Sequence, residues 1–283
     1  MKQVLITGHT GFLGAALARR LQSSGVGVTG LSRSTGFDLL RDELPGGDFD
    51  HVYHVAGLTF VPSSWADPVS FHHVNVHGTV RVLDHCRRAA LPMTYVSGYV
   101  YGVPSHLPIS ESTPARPNNP YAFSKLAAEQ ACRFFAATMG VEVGIVRPFN
   151  IYGPGQDDSF LIPTIARQVL DPQVGEIVVA DLEPRRDFVY VEDVVDALLL
   201  APRLPAGGIF NVGSGESRSV ADVISACMAG AGIVKPFRDR GERRSNEIMD
   251  VISDISAIRE ACSWNPRTGF VEGIRAVIAG VGQ

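Results

Sequence analysis

Short apolar runs alternate with stretches of helical periodicity along most of this chain. Val4–Ile6 is an apolar run that predicts a buried strand, and Leu13, Leu17 and Leu21 then recur on one face of a predicted helix. The same patterning predicts further elements in the order strand 26–31, strand 51–55, helix 68–90, strand 93–97 and helix 121–139. This alternation is typical of an α/β protein in which helices cover both faces of a doubly wound parallel sheet.

The segment that follows the second predicted strand is short and rich in helix breakers. Asp38 and Leu39 are predicted to end a short third strand. Residues 41–50 contain Pro45-Gly46-Gly47, and this stretch is too short and too broken for a crossover helix.

The predicted helix 68–90 has a well-defined start. Asp67 is predicted to cap it, and Pro68 suits the first helical position. The side chains expected to face the core are Val74, Val76, Val80 and Leu83. His73 and His77 are four residues apart, but no carboxylate or cysteine has matching spacing, so we predict no metal site.

The pattern continues into the last third of the chain. A helix at 160–170, a strand at 177–179 and a helix at 191–200 are predicted there. Ser219 and Asp222 have the spacing of a capping box before a further helix, and Trp264 is predicted to be a core residue.

Composition excludes several classes of protein. The chain has 283 residues, 45% of them hydrophobic, and a net charge of −4, which gives no basic field for nucleic acid or an anionic membrane. No apolar run is long enough to span a membrane, and the chain enters its first strand without a signal peptide. The four cysteines form no C-x-x-C pair, so reduced thiols and a cytoplasmic location are expected.

Three glycines between the first strand and the first helix predict a dinucleotide site of the Rossmann type. Gly8 suits the tight turn, Gly11 lets the backbone approach a pyrophosphate, and Gly14 lets the helix pack closely on the strand. The N-terminus of the helix then offers free N–H groups to the phosphates.

The end of the second strand indicates which dinucleotide is bound. An NAD-selective site carries an acidic residue there, whereas this chain has Ser32 and Arg33. Arginine attracts a 2′-phosphate that a carboxylate would repel, so NADP(H) is favoured and NAD(H) remains possible.

A tyrosine and a lysine one helical turn apart indicate acid–base chemistry. Tyr121 and Lys125 share a face of the predicted helix, and Ser97 ends the strand before it. An ammonium group and a nicotinamide beside a phenol are expected to lower the tyrosine pKa towards neutrality, which suits a general acid or base.

With these residues in place, the chain resembles the extended short-chain dehydrogenase/reductase family of nucleotide-sugar enzymes. The resemblance covers nearly the whole chain. The matching motifs are Thr7-Gly8-x-x-Gly11-Phe12-x-Gly14, His54-Val55-Ala56-Gly57, Ser97-x-x-Val100-Tyr101-Gly102, Tyr121-x-x-x-Lys125, Arg147-Pro148-Phe149-Asn150, Tyr152-Gly153-Pro154-Gly155, Arg186-Asp187-Phe188-Val189-Tyr190-Val191-x-Asp193 and Phe210-Asn211-Val212-Gly213.

The resemblance implies roles for individual residues. Ser97 and Tyr121 would contact the sugar oxygen that is oxidised or reduced, and Lys125 would hold the nicotinamide ribose. The residues expected to bind the cofactor are Gly8, Thr10, Gly11, Phe12, Leu13, Gly14, Ser32, Arg33, Asp38, Leu39, His54, Ala56, Gly57, Tyr121, Lys125 and Pro148. Those expected to bind the nucleotide sugar are Thr59, Ser97, Gly98, Tyr99, Asn150, Arg186 and Arg244.

Two further expectations follow from the resemblance. Residues 1–159 would form the dinucleotide-binding domain and residues 160–283 a smaller C-terminal α/β lobe for the nucleotide sugar, with segments around 187–212 returning to the first domain. The protein would be a homodimer formed through the helices 68–90 and 121–139. For Arg186 the competing interpretation is a surface ion pair with Asp187 or Glu183, but a bidentate guanidinium suits a diphosphate better.

The sequence also indicates which reaction of this family is expected. The sugar 4,6-dehydratases of this family carry Asp-Glu after the serine or threonine, whereas this chain has Gly98-Tyr99. Residues 56–65 and 244–254 are similar to the GDP-4-keto-6-deoxymannose reductases. NADPH-dependent reduction of a nucleoside-diphosphate 4-keto-6-deoxyhexose is therefore expected, with Tyr121 protonating the C4 oxygen and Ser97 polarising it. The alternatives are an NAD-dependent 4-epimerase and a non-catalytic dinucleotide-binding sensor.

Overall fold

A computed structural model describes residues 1–242 and 247–281 of the chain. Its strands, in chain order, are β1 (Gln3–Thr7), β2 (Gly27–Leu31), β3 (His51–His54), β4 (Met93–Val96), β5 (Val143–Pro148), β6 (Asn150–Tyr152), β7 (Ile177–Val179), β8 (Arg185–Tyr190), β9 (Ile209–Val212), β10 (Ser217–Ser219) and β11 (Phe237–Asp239). Its helices are α1 (Phe12–Ser23), α2 (Val61–Ala66), α3 (Pro68–His72), α4 (Gly78–Ala89), α5 (Pro120–Met139), α6 (Leu161–Leu170), α7 (Val191–Leu200), α8 (Val220–Ala231), α9 (Ser256–Cys262) and α10 (Phe270–Gly280).

The centre of the molecule is a six-stranded parallel sheet in the order β2-β1-β3-β4-β5-β9. The chain moves outward from β1 to β2 and then returns to place β3 on the other side of β1. The order of the strands thus reverses between β1 and β3, which is where open α/β sheets bind their ligands, at the carboxyl ends of the strands. The predicted Rossmann-type α/β fold is confirmed.

The predicted third strand at Asp38-Leu39 is wrong. Among the described residues, none between Gly36 and Asp50 belongs to a strand, and β2 is followed directly in sequence by β3. The Asp42 carboxylate accepts a hydrogen bond from the Asp38 N–H at 2.7 Å, and the Asp38 carboxylate accepts one from Leu40 N–H at 3.0 Å. Such local bonds offer the backbone an alternative to a strand ladder. The expectation that residues 41–50 form no crossover helix is confirmed.

The helix that begins at Pro68 runs to Ala89, as predicted, but its inward face was assigned wrongly in part. Asp67 caps it, accepting the Ser70 N–H at 3.0 Å. Val76 and Val80 are half-buried. The inward face is formed instead by Phe71, Asn75, Thr79, Val82 and Cys86, which recur every three or four residues through a π-helical turn, His73–His77.

A second group of elements lies beside the central sheet. β6, β8 and β10 form a three-stranded sheet, and β7 pairs with β11. A separate hydrophobic core joins these strands to α6, α8 and α10. β9 nevertheless pairs with β5 in the central sheet, and α7 packs on α1 in the main core. The limits of the two domains remain a prediction.

Two local predictions in this part of the chain are confirmed. Ser219 and Asp222 form a reciprocal capping box at the start of α8. Trp264 is buried in the main core, where its Nε1–H donates to the Asp193 carbonyl at 3.0 Å. In the part of the chain that the structure describes, no helix has the length and apolar character of a membrane span.

Candidate active site

The glycine loop brings the ends of β1 and β3 and the start of α1 into contact. Gly8 has φ +75°, and a Cβ there would lie 2.8 Å from the backbone of Ala56. A Cβ at Gly14 would lie 2.1 Å from the Gly8 carbonyl oxygen. Neither position tolerates a side chain, so glycine is required at both. The backbone can then make the tight turn that a pyrophosphate-binding loop needs. Gly11 is the N-cap of α1 and provides no side-chain cap, which leaves the first N–H groups of the helix for phosphate oxygens.

Hydroxyl groups gather at the carboxyl end of β2. Thr10 Oγ1 lies 2.9 Å from Ser32 Oγ and 2.7 Å from Ser34 Oγ, and Arg33 is exposed beside them. The ring of His9 covers Gly30, where a Cβ would lie 2.2 Å from it. The sequence thus places donors and a guanidinium here where an NAD-selective site has a carboxylate.

Other residues predicted to bind the cofactor lie in three different settings. Leu39 packs on Gly78 of α4, and Asp38 forms the turn described above. The imidazole of His54 is enclosed between Thr7 (2.7 Å) and Thr79 (2.9 Å), and burial lowers its pKa to about 3. Both ring nitrogens of His54 are therefore engaged within the core, and its side chain is not available to bind a cofactor.

Ser97, Tyr121 and Lys125 are brought to the carboxyl end of β4. Asn119 caps α5 by accepting the Ala122 N–H at 2.8 Å, so Tyr121 and Lys125 lie in the first two turns of the helix. The Lys125 ammonium donates to the Val96 carbonyl at 2.6 Å. The Tyr121 hydroxyl lies against Gly98, since a Cβ at Gly98 would be 2.4 Å from it.

The pKa values of these groups differ from the expectation. Burial raises the pKa of Tyr121 to about 12. The groups of the protein alone therefore do not lower this pKa towards neutrality, and that part of the prediction is wrong. Burial also lowers the pKa of Lys125 to about 8, against an opposing contribution from the charge of Glu129. The cost of burying a charge exceeds the effect of the neighbouring ammonium, and Tyr121 is held in its protonated form.

Sequence analysis missed a buried ion pair behind Ser97. The Ser97 hydroxyl donates to Glu129 Oε1 at 2.5 Å, and Arg147 Nε donates to the same oxygen at 2.9 Å. Arg147 also donates to the hydroxyl of Tyr101 at 2.8 Å. The sequence marks each residue separately, since Glu129 is one turn beyond Lys125 and Arg147 opens the Arg147-Pro148-Phe149-Asn150 motif, but it gives no signal that the two form a pair.

Asn75, in the π-helical turn, is a second buried residue that sequence analysis missed. Its side chain accepts from Leu58 N–H at 2.8 Å and donates to the Leu58 carbonyl at 3.0 Å and to Ser124 Oγ at 2.9 Å. Asn75 thereby fixes the loop that carries Ala56 and Gly57 to the start of α5. A lone asparagine in a histidine-rich helix gives no sequence signal for this role.

Among the described residues, those predicted to bind substrate follow the carboxyl ends of β3, β4 and β5 or lie in β8. Tyr99 packs on Tyr101 and Phe149, and its hydroxyl donates to the Gly102 carbonyl at 2.6 Å. Asn150 donates to the Asp187 carbonyl at 3.1 Å. Thr59 is exposed, Pro148 ends β5, and Arg244 lies outside the described residues.

Arg186 pairs with Glu247 and donates to the Ile248 carbonyl at 2.5 Å. The Asp187 carboxylate is not an ion-pair partner of Arg186, because it is buried and accepts hydrogen bonds from Ser214, Gly215 and Ser253. His73 and His77 lie on an exposed helix face with ring centroids 5.3 Å apart. No group of three or more possible metal ligands occurs among the described residues.

Comparison with known proteins decides the family. The family described as NAD dependent epimerase/dehydratase matches residues 4–213. This chain belongs to that family. Its relatives are nucleotide-sugar reductases, epimerases and dehydratases, and this chain is an enzyme of the extended short-chain dehydrogenase/reductase type.

Individual relatives align over almost their whole length. A GDP-6-deoxy-D-mannose reductase of Pseudomonas aeruginosa is 32% identical and covers 98% of this chain and 96% of its own. A UDP-glucose 4-epimerase of Mycolicibacterium smegmatis is 30% identical over 98% of this chain and 97% of its own.

Solved structures agree with these alignments. The structure of RMD from Pseudomonas aeruginosa complexed with NADPH has a TM-score of 0.88 and 32% identity, covering 99% of this chain and 98% of its own. The NAD dependent NDP-hexosamine 5,6-dehydratase TunA, involved in tunicamycin biosynthesis, has a TM-score of 0.88 and 34% identity, covering 99% and 97%.

Proposed function

We propose that this enzyme reduces the 4-keto group of a nucleoside-diphosphate 4-keto-6-deoxyhexose with NADPH. The observation that carries the proposal is the convergence of Ser97, Tyr121 and Lys125 at the end of β4, with Gly98 in place of an acidic residue. A ketoreductase needs one proton donor beside the carbonyl, whereas a 4,6-dehydratase also needs an acid and a base to eliminate water. The similarity to the Pseudomonas aeruginosa reductase supports this choice.

The chain's own residues provide the proton and position the substrate. Tyr121 is protonated at neutral pH because burial raises its pKa, and its hydroxyl gives a proton to the C4 oxygen. Ser97 would contact the C4 oxygen once it has become a hydroxyl group, and the charged form of Lys125 would hold the ribose beside Tyr121. NADPH, when bound, supplies the hydride that adds to C4.

NADPH is favoured over NADH at the end of β2. Arg33 with the hydroxyls of Thr10 and Ser32 would hold a 2′-phosphate, and no carboxylate is in place to repel it. The similar structure with NADPH supports this preference, while NAD in other similar structures keeps NAD(H) possible. The glycine loop, Ala56, Gly57 and Pro148 would line the rest of the cofactor.

The nucleotide sugar is assigned to the crevice between the central sheet and the C-terminal lobe. Arg186 would bind the diphosphate, and Asn150, Tyr99 and Thr59 would face the sugar. Similar structures hold UDP-glucose and UDP-glucuronic acid, which supports a nucleoside-diphosphate sugar as the substrate class. Residues 1–159 and 160–283 would be the two domains that enclose it.

A nucleotide-sugar 4-epimerase is the alternative function. It would use the same three residues with retained NAD, and the similarity to the Mycolicibacterium smegmatis UDP-glucose 4-epimerase favours it. A sensor without activity has no need of a lysine and a protonated phenol at the end of β4. We also infer a homodimer, and a reducing compartment such as the cytoplasm, since the four cysteines are free thiols.

The deciding experiment follows NADPH absorbance with GDP- and dTDP-4-keto-6-deoxy sugars, with NADH as a control. Stoichiometric loss of NADPH with one of these sugars would establish the ketoreductase. Tightly bound NAD, released on denaturation without any consumption of NADPH, would establish the epimerase instead.

Tyr121→Phe tests the proton donor directly. The variant keeps the ring but removes the proton, and we expect kcat to fall roughly 100- to 10,000-fold. The dissociation constant for NADPH, measured by fluorescence, should stay unchanged. Turnover close to that of the unmodified enzyme would contradict the role of Tyr121.

A further inference from the structure

The proton of the Ser97 hydroxyl is directed into the protein, towards Glu129. A serine hydroxyl has one proton and two acceptor lone pairs. Here the proton is directed to Glu129 Oε1 at 2.5 Å, and Ser97 is buried. A hydrogen bond to a carboxylate is about twice as strong as one between neutral groups, so turning this proton towards a ligand is costly.

Arg147 holds the Glu129 carboxylate in the position where it accepts the hydrogen bond from Ser97. The Arg147 guanidinium binds both carboxylate oxygens of Glu129, and both side chains are almost fully buried, at 5% and 1% exposure. The Tyr101 hydroxyl accepts from the other end of Arg147 at 2.8 Å. The bidentate contact fixes the plane of the carboxylate, which holds Oε1 towards Ser97.

We propose that Glu129 is a positioning residue that takes the proton of Ser97 and so makes this serine a hydrogen-bond acceptor towards the substrate. The proposal rests on the proposed function and deepens it. Ser97 then presents a lone pair to the crevice. It binds a hydroxyl group well and a carbonyl group poorly.

This arrangement changes how the two forms of the sugar are held. In the reduction, the hydride adds to C4, and the proton of the Tyr121 hydroxyl goes to the C4 oxygen. Because the Ser97 proton is bound to Glu129, the ketone oxygen receives its hydrogen bond from Tyr121 alone, and Ser97 does not polarise it as expected from the sequence. The C4 hydroxyl formed in this step has a proton of its own, which it donates to Ser97 Oγ. The Ser97–Glu129 pair consequently favours the alcohol over the ketone.

The test compares binding of sugar nucleotides that carry a C4 hydroxyl. The probes are GDP-6-deoxy-D-mannose and UDP-glucose, measured by titration calorimetry with NADP⁺ present, and GDP and UDP alone serve as references. In Glu129→Gln the amide cannot accept from all the donors that the carboxylate serves, because Oε1 accepts from both Ser97 and Arg147 and Oε2 accepts from Arg147 again. We expect about tenfold weaker binding of the sugar nucleotide that the unmodified enzyme prefers, with nucleotide binding unchanged.

A double-mutant cycle separates this role from a merely structural one. Ser97→Ala should weaken sugar-nucleotide binding about as much as Glu129→Gln, and the two changes together should weaken it no further. Losses that add in the double variant would overturn the proposal, because Glu129 would then act without Ser97. Unchanged binding in Glu129→Gln would also overturn it.

Two further variants serve as controls. Glu129→Met combined with Arg147→Met replaces the whole ion pair, which leaves no uncompensated buried charge and should reproduce the loss seen in Glu129→Gln. Gln130→Ala, at the next position of α5, should bind like the unmodified enzyme. These measurements require no turnover. An absence of NADPH consumption would therefore refute the ketoreductase while leaving the role of Glu129 to be decided by binding.

Discussion

Gly98 occupies the position where the sugar 4,6-dehydratases carry an acidic residue, and the structure gives a steric reason for its small size. A Cβ at this position would lie 2.4 Å from the Tyr121 hydroxyl. In Gly98→Ala that hydroxyl must move, so we expect kcat to fall roughly tenfold to a hundredfold, since small misplacements of a reacting group are costly. NADPH binding should remain unchanged, and both quantities can be measured by steady-state kinetics and fluorescence titration.

Gly175 provides the matched control for this substitution. A Cβ at Gly175 would meet no atom within 4 Å. Gly175→Ala should therefore leave kcat as it is. Equal activity of the two alanine variants would show that Tyr121 has room to adjust.

The lowered pKa of Lys125 predicts a pH dependence. Lys125 loses its proton near pH 8 in the folded protein, and only its charged form can donate to the ribose. We expect kcat/KM for NADPH to fall about tenfold per pH unit above pH 8, because the charged fraction of Lys125 falls by that factor. Tyr121, with a pKa of about 12, does not titrate between pH 7 and pH 10. Lys125→Arg stays charged and should lose this alkaline decrease, whereas a flat profile from pH 7 to pH 10 in the unmodified enzyme would contradict the assignment.

Residues that act within one motif could be predicted from the sequence, and residues that act across the fold could not. Tyr121 and Lys125 are one helical turn apart, so their proximity follows from helix geometry alone. Glu129 and Arg147 belong to different elements, and their contact depends on how α5 packs on the sheet. The pKa of Tyr121 also had to come from the structure, because the degree of burial decides its direction.

At the scale of elements, the π-helical turn His73–His77 carries the buried Asn75. The Asn75 side chain makes three hydrogen bonds to Leu58 and Ser124. Asn75→Ala leaves these buried partners unsatisfied, and we expect the free energy of unfolding to fall by about 2–3 kcal/mol. Urea denaturation followed by circular dichroism measures this change.

Val76→Ala is the natural comparison, since Val76 is adjacent in sequence but only half-buried and has an apolar side chain. Its substitution should lower the free energy of unfolding by less than about 1 kcal/mol. If both variants unfolded at the same urea concentration, the hydrogen bonds of Asn75 would contribute nothing to stability.

The same helix marks the limit of prediction by periodicity. An apolar pattern locates Pro68–Ala89 as a helix, and Asp67 fixes its start. It does not reveal the π-helical turn, nor that the inward face includes the polar side chains of Asn75 and Thr79 while Val76 and Val80 are half-buried. In residues 36–50 the carboxylates of Asp38 and Asp42 bind nearby backbone N–H groups, which a propensity for strands does not anticipate.

At the scale of the whole molecule, the exposed face of α3, α4 and α5 supports the proposed homodimer. This apolar face encloses a groove of about 580 Å³ and is lined by Pro68, Val69, His72, His73, Val76, His77, Val80, Pro120 and Phe123. Val69 is 75% exposed and Phe123 is 56% exposed. Apolar area of this kind indicates a partner surface.

Val69→Glu places a charge on this face. If two copies associate through it, the dissociation constant of the dimer should rise about a hundredfold, because an unpaired charge in an interface costs several kcal/mol. Sedimentation equilibrium measures the change. Val234→Glu is the control, as Val234 is 91% exposed and lies outside the face. A wild-type protein that sedimented as a monomer at every concentration would refute the dimer.

The doubly wound parallel sheet follows from the alternating pattern together with the glycine loop, since a dinucleotide site requires the order of strands to reverse beside β1. The position of β9 does not follow from any local signal. Its four residues, Ile209–Val212, pair with β5 after a long passage through other elements, and only packing of the complete chain selects that edge.

The return of β9 and α7 to the central sheet has a consequence for how such enzymes can diverge. The two halves of the molecule are not consecutive segments of the chain. The edge strand β9 and the helix α7, which belong to the core of the first half, follow the first elements of the second half in the sequence. Exchange of everything beyond residue 159 between relatives would also replace part of the scaffold under the glycine loop. Point substitutions within the lobe avoid that conflict, so they are the accessible route to a new sugar preference.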